Sequence, residues 1–89
     1  MTKNISFLLL LMGNFLFSQN ITLFDQGNTH YNEGNYQKAI DLYEKVLEDD
    51  FHSAALYFNL ANAHYKLNHI APSIYYYEKA LLLDPNHQD

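Results

Sequence analysis

The 89-residue sequence contains no cysteine and no arginine. Without cysteine there are no disulfides, thiolate metal sites, cysteine nucleophiles or thiol-linked lipid anchors. Small domains often lean on disulfides or a metal, so stability here has to come from side-chain packing, within the chain or against a partner. Without arginine there is no planar fork to clamp carboxylates or phosphates through paired hydrogen bonds. Positive charge is scarce altogether: five lysines face ten acidic residues, a formal net charge of −5. Such a surface repels phosphate backbones, which excludes nucleic acid as a partner.

Catalytic signatures are missing too. Ser18, Ser53 and Ser73 lie in no nucleophile-elbow context, and no glycine-rich phosphate loop occurs. Glu48-Asp49-Asp50 lacks the alternating oxygen ligands and the glycine of a calcium loop, and reads as a solvated helix end. The histidines are His30, His52, His64, His69 and His87. His64 and His69 stand five apart, on different faces of a continuous helix, unlike the four-apart spacing of a zinc helix. The expectation is therefore no enzyme, no metal and no cofactor.

No apolar run is long enough to span a bilayer, but one comes close. Ile5 to Phe17 is largely apolar but interrupted at Gly13 and Asn14, short of the roughly 20 residues a spanning helix needs. It follows Lys3 and precedes Ser18, which is the plan of a secretory signal peptide over residues 1–18. The alternative is a buried first helix of the fold. Cleavage after Ser18 would leave four lysines against the same ten acidic residues, a net charge of −6. An exported, periplasmic chain is expected.

What is present in quantity is repetition. Residues 20–53 set above 54–87 match at ten places without a gap, among them Phe24 with Phe58, Asn28 with Asn62, His30 with His64, Ile40 with Ile74 and Tyr43 with Tyr77. Each unit reads as two helices, at about 20–33 and 36–49 and then at about 54–67 and 70–83. Gly34-Asn35 breaks the first pair, with Asn35 as an N-cap. Tyr36, Ala39, Ile40, Tyr43, Val46 and Leu47 then recur in steps of three and four, one apolar stripe. Asp41 and Lys45, four apart off the stripe, form a favourable pair. The second unit repeats the plan with Ile70, Ser73, Ile74, Tyr77, Ala80 and Leu81, with Pro72 in the first turn. The fold expected is all-α: two stacked helix-turn-helix hairpins.

These residues resemble the tetratricopeptide repeat family. Leu23, Gln26, Gly27, His30, Ala39, Tyr43 and Phe51 fall at its signature places in the first unit. Tyr57, Leu60, Ala61, His64, Ser73, Tyr77 and Pro85 do so in the second. The resemblance implies a short right-handed α-solenoid, with small residues where helices cross and a concave groove that takes a protein or peptide. It places Phe24, Asn28, Tyr31, Asn32, Phe58, Asn62, Tyr65 and Lys66 on that groove, beside Ile21 and Ala55. Asparagine offers a peptide backbone donor and acceptor together, and the aromatics offer apolar contact. Two readings stand for these side chains, ligand contacts or support for neighbouring repeats. A carboxylate clamp for acidic tails does not fit, because Phe24 stands where that scheme has lysine.

The last helix is apolar on nearly every side. Asp41, Glu48 and Asp49 of the first unit become Tyr75, Leu82 and Leu83. A helix apolar most of the way round expects burial. Asp84-Pro85-Asn86 stops it and offers Asn86 as a fresh cap, so residues 86–89 read as the start of a further helix, with Tyr75, Leu82 and Leu83 as the stacking surface for it. The alternative is a small module that self-associates through this helix.

The run from Leu23 to Leu67 behind a signal segment is similar to the exported tetratricopeptide proteins of the bacterial aerotolerance (Bat) operon. That similarity implies a scaffold held at the membrane by segments outside this sequence, or by the uncleaved signal. Two roles follow: an adaptor that docks a partner, or a non-catalytic helper subunit that positions an enzyme.

Overall fold

The computed structural model describes residues 19–86, and all of them outside turns are helical. Residues 1–18, the expected signal segment, and the tail 87–89, with His87, lie outside the described residues. Helix α1 covers residues 19–32, α2 Tyr36–Glu48, α3 Ala54–Lys66 and α4 Ile70–Leu83.

Each of the three turns carries one residue in the left-handed region: Gly34 at φ 84°, Asp50 at φ 62° and Asn68 at φ 63°. That conformation ends a helix and lets the following amides satisfy its last carbonyls. Asn35 N–H donates to His30 O at 2.8 Å, and His69 N–H donates to His64 O at 2.8 Å, so both hairpins turn alike. Ser53 caps α3, its hydroxyl accepting from Leu56 N–H at 3.0 Å. Asn35 stands at the N-cap position of α2 but does not cap it; its amide donates to Glu33 Oε2 at 3.4 Å. The Asp41–Lys45 pair does not form either. Asp41 instead accepts from Gln37 Nε2 at 3.1 Å, one turn back along the helix.

The core is built from Ala39, Ile40, Tyr43 and Val46 of α2 against Leu56, Leu60 and Ala63 of α3, with Leu23, Phe24 and Tyr31 of α1 packed on it. Burying a large apolar side chain contributes roughly 1.5–3 kcal/mol, so these few carry most of the fold. Leu42, off the expected stripe, is buried as well. Small residues let helices approach closely. A Cβ on Gly27 would stand 2.5 Å from a Tyr43 ring carbon, so α1 crosses α2 at a distance only glycine permits. At the equivalent crossing in the second hairpin, Ala61 is wholly buried and its carbonyl accepts from the buried Ser73 hydroxyl at 3.0 Å.

Candidate groove and apolar faces

Helices α1 and α3 run side by side, and the space between them holds two recesses of different chemistry. One, of about 300 Å³, is lined by Asn28, Tyr31 and Asn32 of α1, Asn59 and Asn62 of α3, and Tyr43 from beneath. The other, of about 240 Å³, lies nearer the helix N-termini and is apolar, lined by Ile21, Phe24, Val46, Phe51, Ala55 and Leu56 among others. Of the expected groove residues, the first recess gathers Asn28, Tyr31, Asn32 and Asn62. Phe24 belongs to the second. Phe58, Tyr65 and Lys66 line neither; Phe58 stands edge-on to Tyr77 at 5.4 Å, within its own hairpin.

Hydrogen bonding changes what the asparagines offer. Asn28 Oδ1 accepts from the Tyr43 hydroxyl at 2.6 Å and from Asn59 Nδ2 at 2.9 Å, which uses both oxygen lone pairs. Asn62 Oδ1 accepts from the Tyr77 hydroxyl in the same way. Asn28 therefore presents a donor alone, whereas the Asn62 oxygen keeps one lone pair beside its amide donors. Sequence reasoning had both members of each pair but not the bond, because Asn28 and Tyr43 are far apart along the chain. Their recurrence at 34 residues was the available signal. Burial pushes the Tyr43 hydroxyl up to about 12, partly opposed by a hydrogen bond from Asn59. It stays a neutral donor throughout the physiological range.

Helix α4 presents two apolar strips. Ile74 and Leu81 lie on the flank equivalent to the one where α3 covers Ile40, and here both are exposed, as is Ile70. Tyr75 and Leu82 lie on another flank, with Leu82 82% exposed and Leu83 also open. Their first-unit counterparts Asp41, Glu48 and Asp49 remain exposed with α3 in place. By repeat equivalence, a further helix would sit on Ile74 and Leu81 and leave Tyr75 and Leu82 uncovered. Tyr75 packs instead on Lys79, whose ammonium lies 5.3 Å from its ring centre and 5.5 Å from that of Tyr57. Lys79, Leu82, Leu83, Tyr57 and His52 line a shallow recess at this end.

Two histidine arrangements emerge that spacing did not suggest. His52 links Asp50 Oδ1, 2.8 Å from its Nε2, to the Tyr57 hydroxyl at its Nδ1, and so ties the α2–α3 turn to α3. His64 and His69 meet, with Nδ1 atoms 3.1 Å apart. The different-face expectation assumed one continuous helix. The chain reverses at Asn68 and brings His69 back over the end of α3. Among the described residues no three of His, Cys, Asp and Glu gather in a way that could hold a metal ion.

Comparison with known proteins bears on this architecture. A family profile described as TPR repeat matches residues 27–68, and one described as tetratricopeptide repeat matches residues 54–87, together running through both hairpins. The chain belongs to the tetratricopeptide repeat family. Among curated proteins it is 42% identical over 50 residues to the small glutamine-rich tetratricopeptide repeat-containing protein beta of Homo sapiens, a match covering 56% of this chain and 16% of that protein. The proteins of the same name from Rattus norvegicus and Mus musculus are 44% identical over 45 residues, covering 51% of this chain and 15% of each. The chain thus corresponds to about a sixth of the length of these relatives. As a tetratricopeptide repeat chain it is a protein-interaction module. No helix among the described residues is long and apolar enough to cross a membrane.

Proposed function

We propose that the chain is an exported, non-catalytic adaptor that holds an extended peptide segment of a partner protein between α1 and α3. The observation that carries this reading is the asparagine-rich recess of Asn28, Asn32, Asn59 and Asn62, open beside an apolar pocket at Ile21 and Phe24. With Asn28 and Asn62 oxygens held by Tyr43 and Tyr77, their amide N–H groups serve backbone carbonyls of the peptide. An apolar peptide side chain fits the neighbouring pocket. No lysine lines either recess, so the preferred segment is uncharged rather than an acidic tail. Export rests on the segment of residues 1–18, and a place in a membrane-associated periplasmic complex rests on the similarity to the aerotolerance-operon proteins. The exposed strip of Ile74 and Leu81 is a surface on which another helix could stack.

A peptide-display selection against the full chain tests the groove. Uncharged sequences with one large apolar residue should be enriched, and Asn62→Ala should weaken their binding about tenfold while the helical circular dichroism stays unchanged. Equal affinity in the variant would move the site elsewhere. Export is checked separately by fusing alkaline phosphatase after residue 33; activity should appear in the periplasm and vanish when residues 1–18 are deleted.

A further inference from the structure

We propose that His64 and His69 form an acid-sensitive clasp across the turn between α3 and α4, closed while the pair holds at most one added proton and open once it holds two. The rings meet head-on, with Nδ1 atoms 3.1 Å apart and ring centres 5.4 Å apart. Two imidazole nitrogens are held this closely by a hydrogen between them. One ring therefore carries its hydrogen on Nδ1 and donates it to the bare Nδ1 of the other, whose own hydrogen sits on Nε2.

The turn keeps the rings in register. His64 lies in the last turn of α3, Asn68 takes the left-handed conformation, and His69 N–H returns to His64 O at 2.8 Å. His69 is also the N-cap residue of α4, and its carbonyl accepts from Ser73 N–H at 3.1 Å. The clasp thus ties the end of one helix to the start of the next. Tyr76 of α4 stacks on the His64 ring, with centres 5.6 Å apart and planes 12° from parallel. His69 is the exposed member of the pair.

The two added protons act in opposite ways. The first goes to the bare Nε2 of the donating ring, and the N–H···N bond survives with a charged donor. The second has only the accepting Nδ1 left. It sets two N–H groups against each other and two positive charges a few ångströms apart, so the bond breaks and the rings part. Such a pair titrates in two separated steps. Tyr76 stacks on His64, Lys66 shares its last turn of α3, and Glu44 of α2 and Lys79 of α4 act on Tyr76. Neither Tyr76 nor Lys66 is negative near neutral pH, so neither offsets the second charge. Burial, and secondarily His69, hold His64 below its ordinary 6.5, in keeping with the harder second step. The folded chain then binds fewer protons than the unfolded one. The contribution of the clasp is complete above the ordinary 6.5 and is lost as pH falls below it.

The first hairpin turns in the same way without the device. Asn35 stands in the place of His69, and His30 Nδ1 lies 3.9 Å from Glu33 Oε2, so a proton there meets an acid instead of a second base.

The test follows the histidine ring resonances of the full chain by NMR against pH. His64 should titrate below 6.5 in the parent, and its midpoint should rise in His69→Asn. That variant copies the turn residue of the first hairpin and should keep the fold, which circular dichroism verifies. His30→Gln should leave the His64 midpoint where it is. In urea, the midpoint of the parent should fall further between about pH 8 and about pH 5 than that of either His69→Asn or His64→Gln. An unchanged His64 midpoint in folded His69→Asn, or an equal acid decline in parent and variants, would overturn the proposal.

Discussion

Ile40 and Ile74 occupy the same place in two copies of one repeat, yet Ile40 is 2% exposed and Ile74 53%. The same contrast divides the whole molecule. In the first hairpin α2 is covered by α1 on one side and α3 on the other; in the second, α4 has α3 and an open flank. Burial in a solenoid belongs to the neighbour as much as to the residue, because each repeat contributes one face and borrows the other. The polar side tells the same story from the opposite end. Thr22, Gln26 and Thr29 of α1 stand where α3 has Leu56, Leu60 and Ala63, all buried against α2. The described N-terminal face is thus polar and the α4 face apolar, so the stack has a direction.

The most severe way to break the comparison is at the crossing of α1 and α2. Gly27→Leu drives a side chain into the buried Tyr43 ring, where even a Cβ is too close. It should cost about 3 kcal/mol or more and leave no cooperative thermal transition by circular dichroism. An unshifted melt would mean that the helices do not cross there.

The paired isoleucines test coverage directly. Ile40→Ala should lower stability in urea by about 3 kcal/mol, whereas Ile74→Ala should cost less than about 1 kcal/mol. Equal costs would reveal that α4 is covered in solution, by a second copy or a further helix.

Tyr43 ties the stability of the first hairpin to pH. Its folded pKa of about 12 lies above the ordinary value of 10.0, so folding favours the protonated form. That stabilisation is complete below pH 10 and is lost as pH rises toward 12, by about 2 kcal/mol in all. Tyr43→Phe should flatten this alkaline decline, read as the urea midpoint against pH. A parent protein whose stability is level between pH 10 and 12 would contradict the buried placement.

The smallest expected effects distinguish the two hairpin entries. Ser53→Ala should cost about 1 kcal/mol by removing the cap of α3. Asn35→Ala, which removes no cap, should stay within about 0.5 kcal/mol. Comparable losses at the two positions would restore Asn35 to a capping role.

Much of this architecture was legible in the chain. The 34-residue period, the apolar stripe from Tyr36 to Leu47, the small residues at Gly27, Ala39, Ala61 and Ser73, and the turn residue Gly34 all act locally or through the repeat. They specify four helices paired as hairpins. The groove was legible as a set of side chains but not as a chemistry. Asn28 was readable as a paired donor and acceptor until the Tyr43 hydroxyl and the Asn59 amide took both lone pairs of its oxygen. Asn35 looked like a cap by type and position, and its side chain turned to Glu33.

Helix length, turn position and which residues share a face follow from backbone preferences and period, and these the sequence by itself determined. Which shared faces are covered, which amide atoms remain for a ligand, and that His64 meets His69 were decided only by the tertiary structure. The reason is physical: period is a property of one helix, whereas exposure and hydrogen-bond partners depend on what the neighbouring helix brings within a few ångströms.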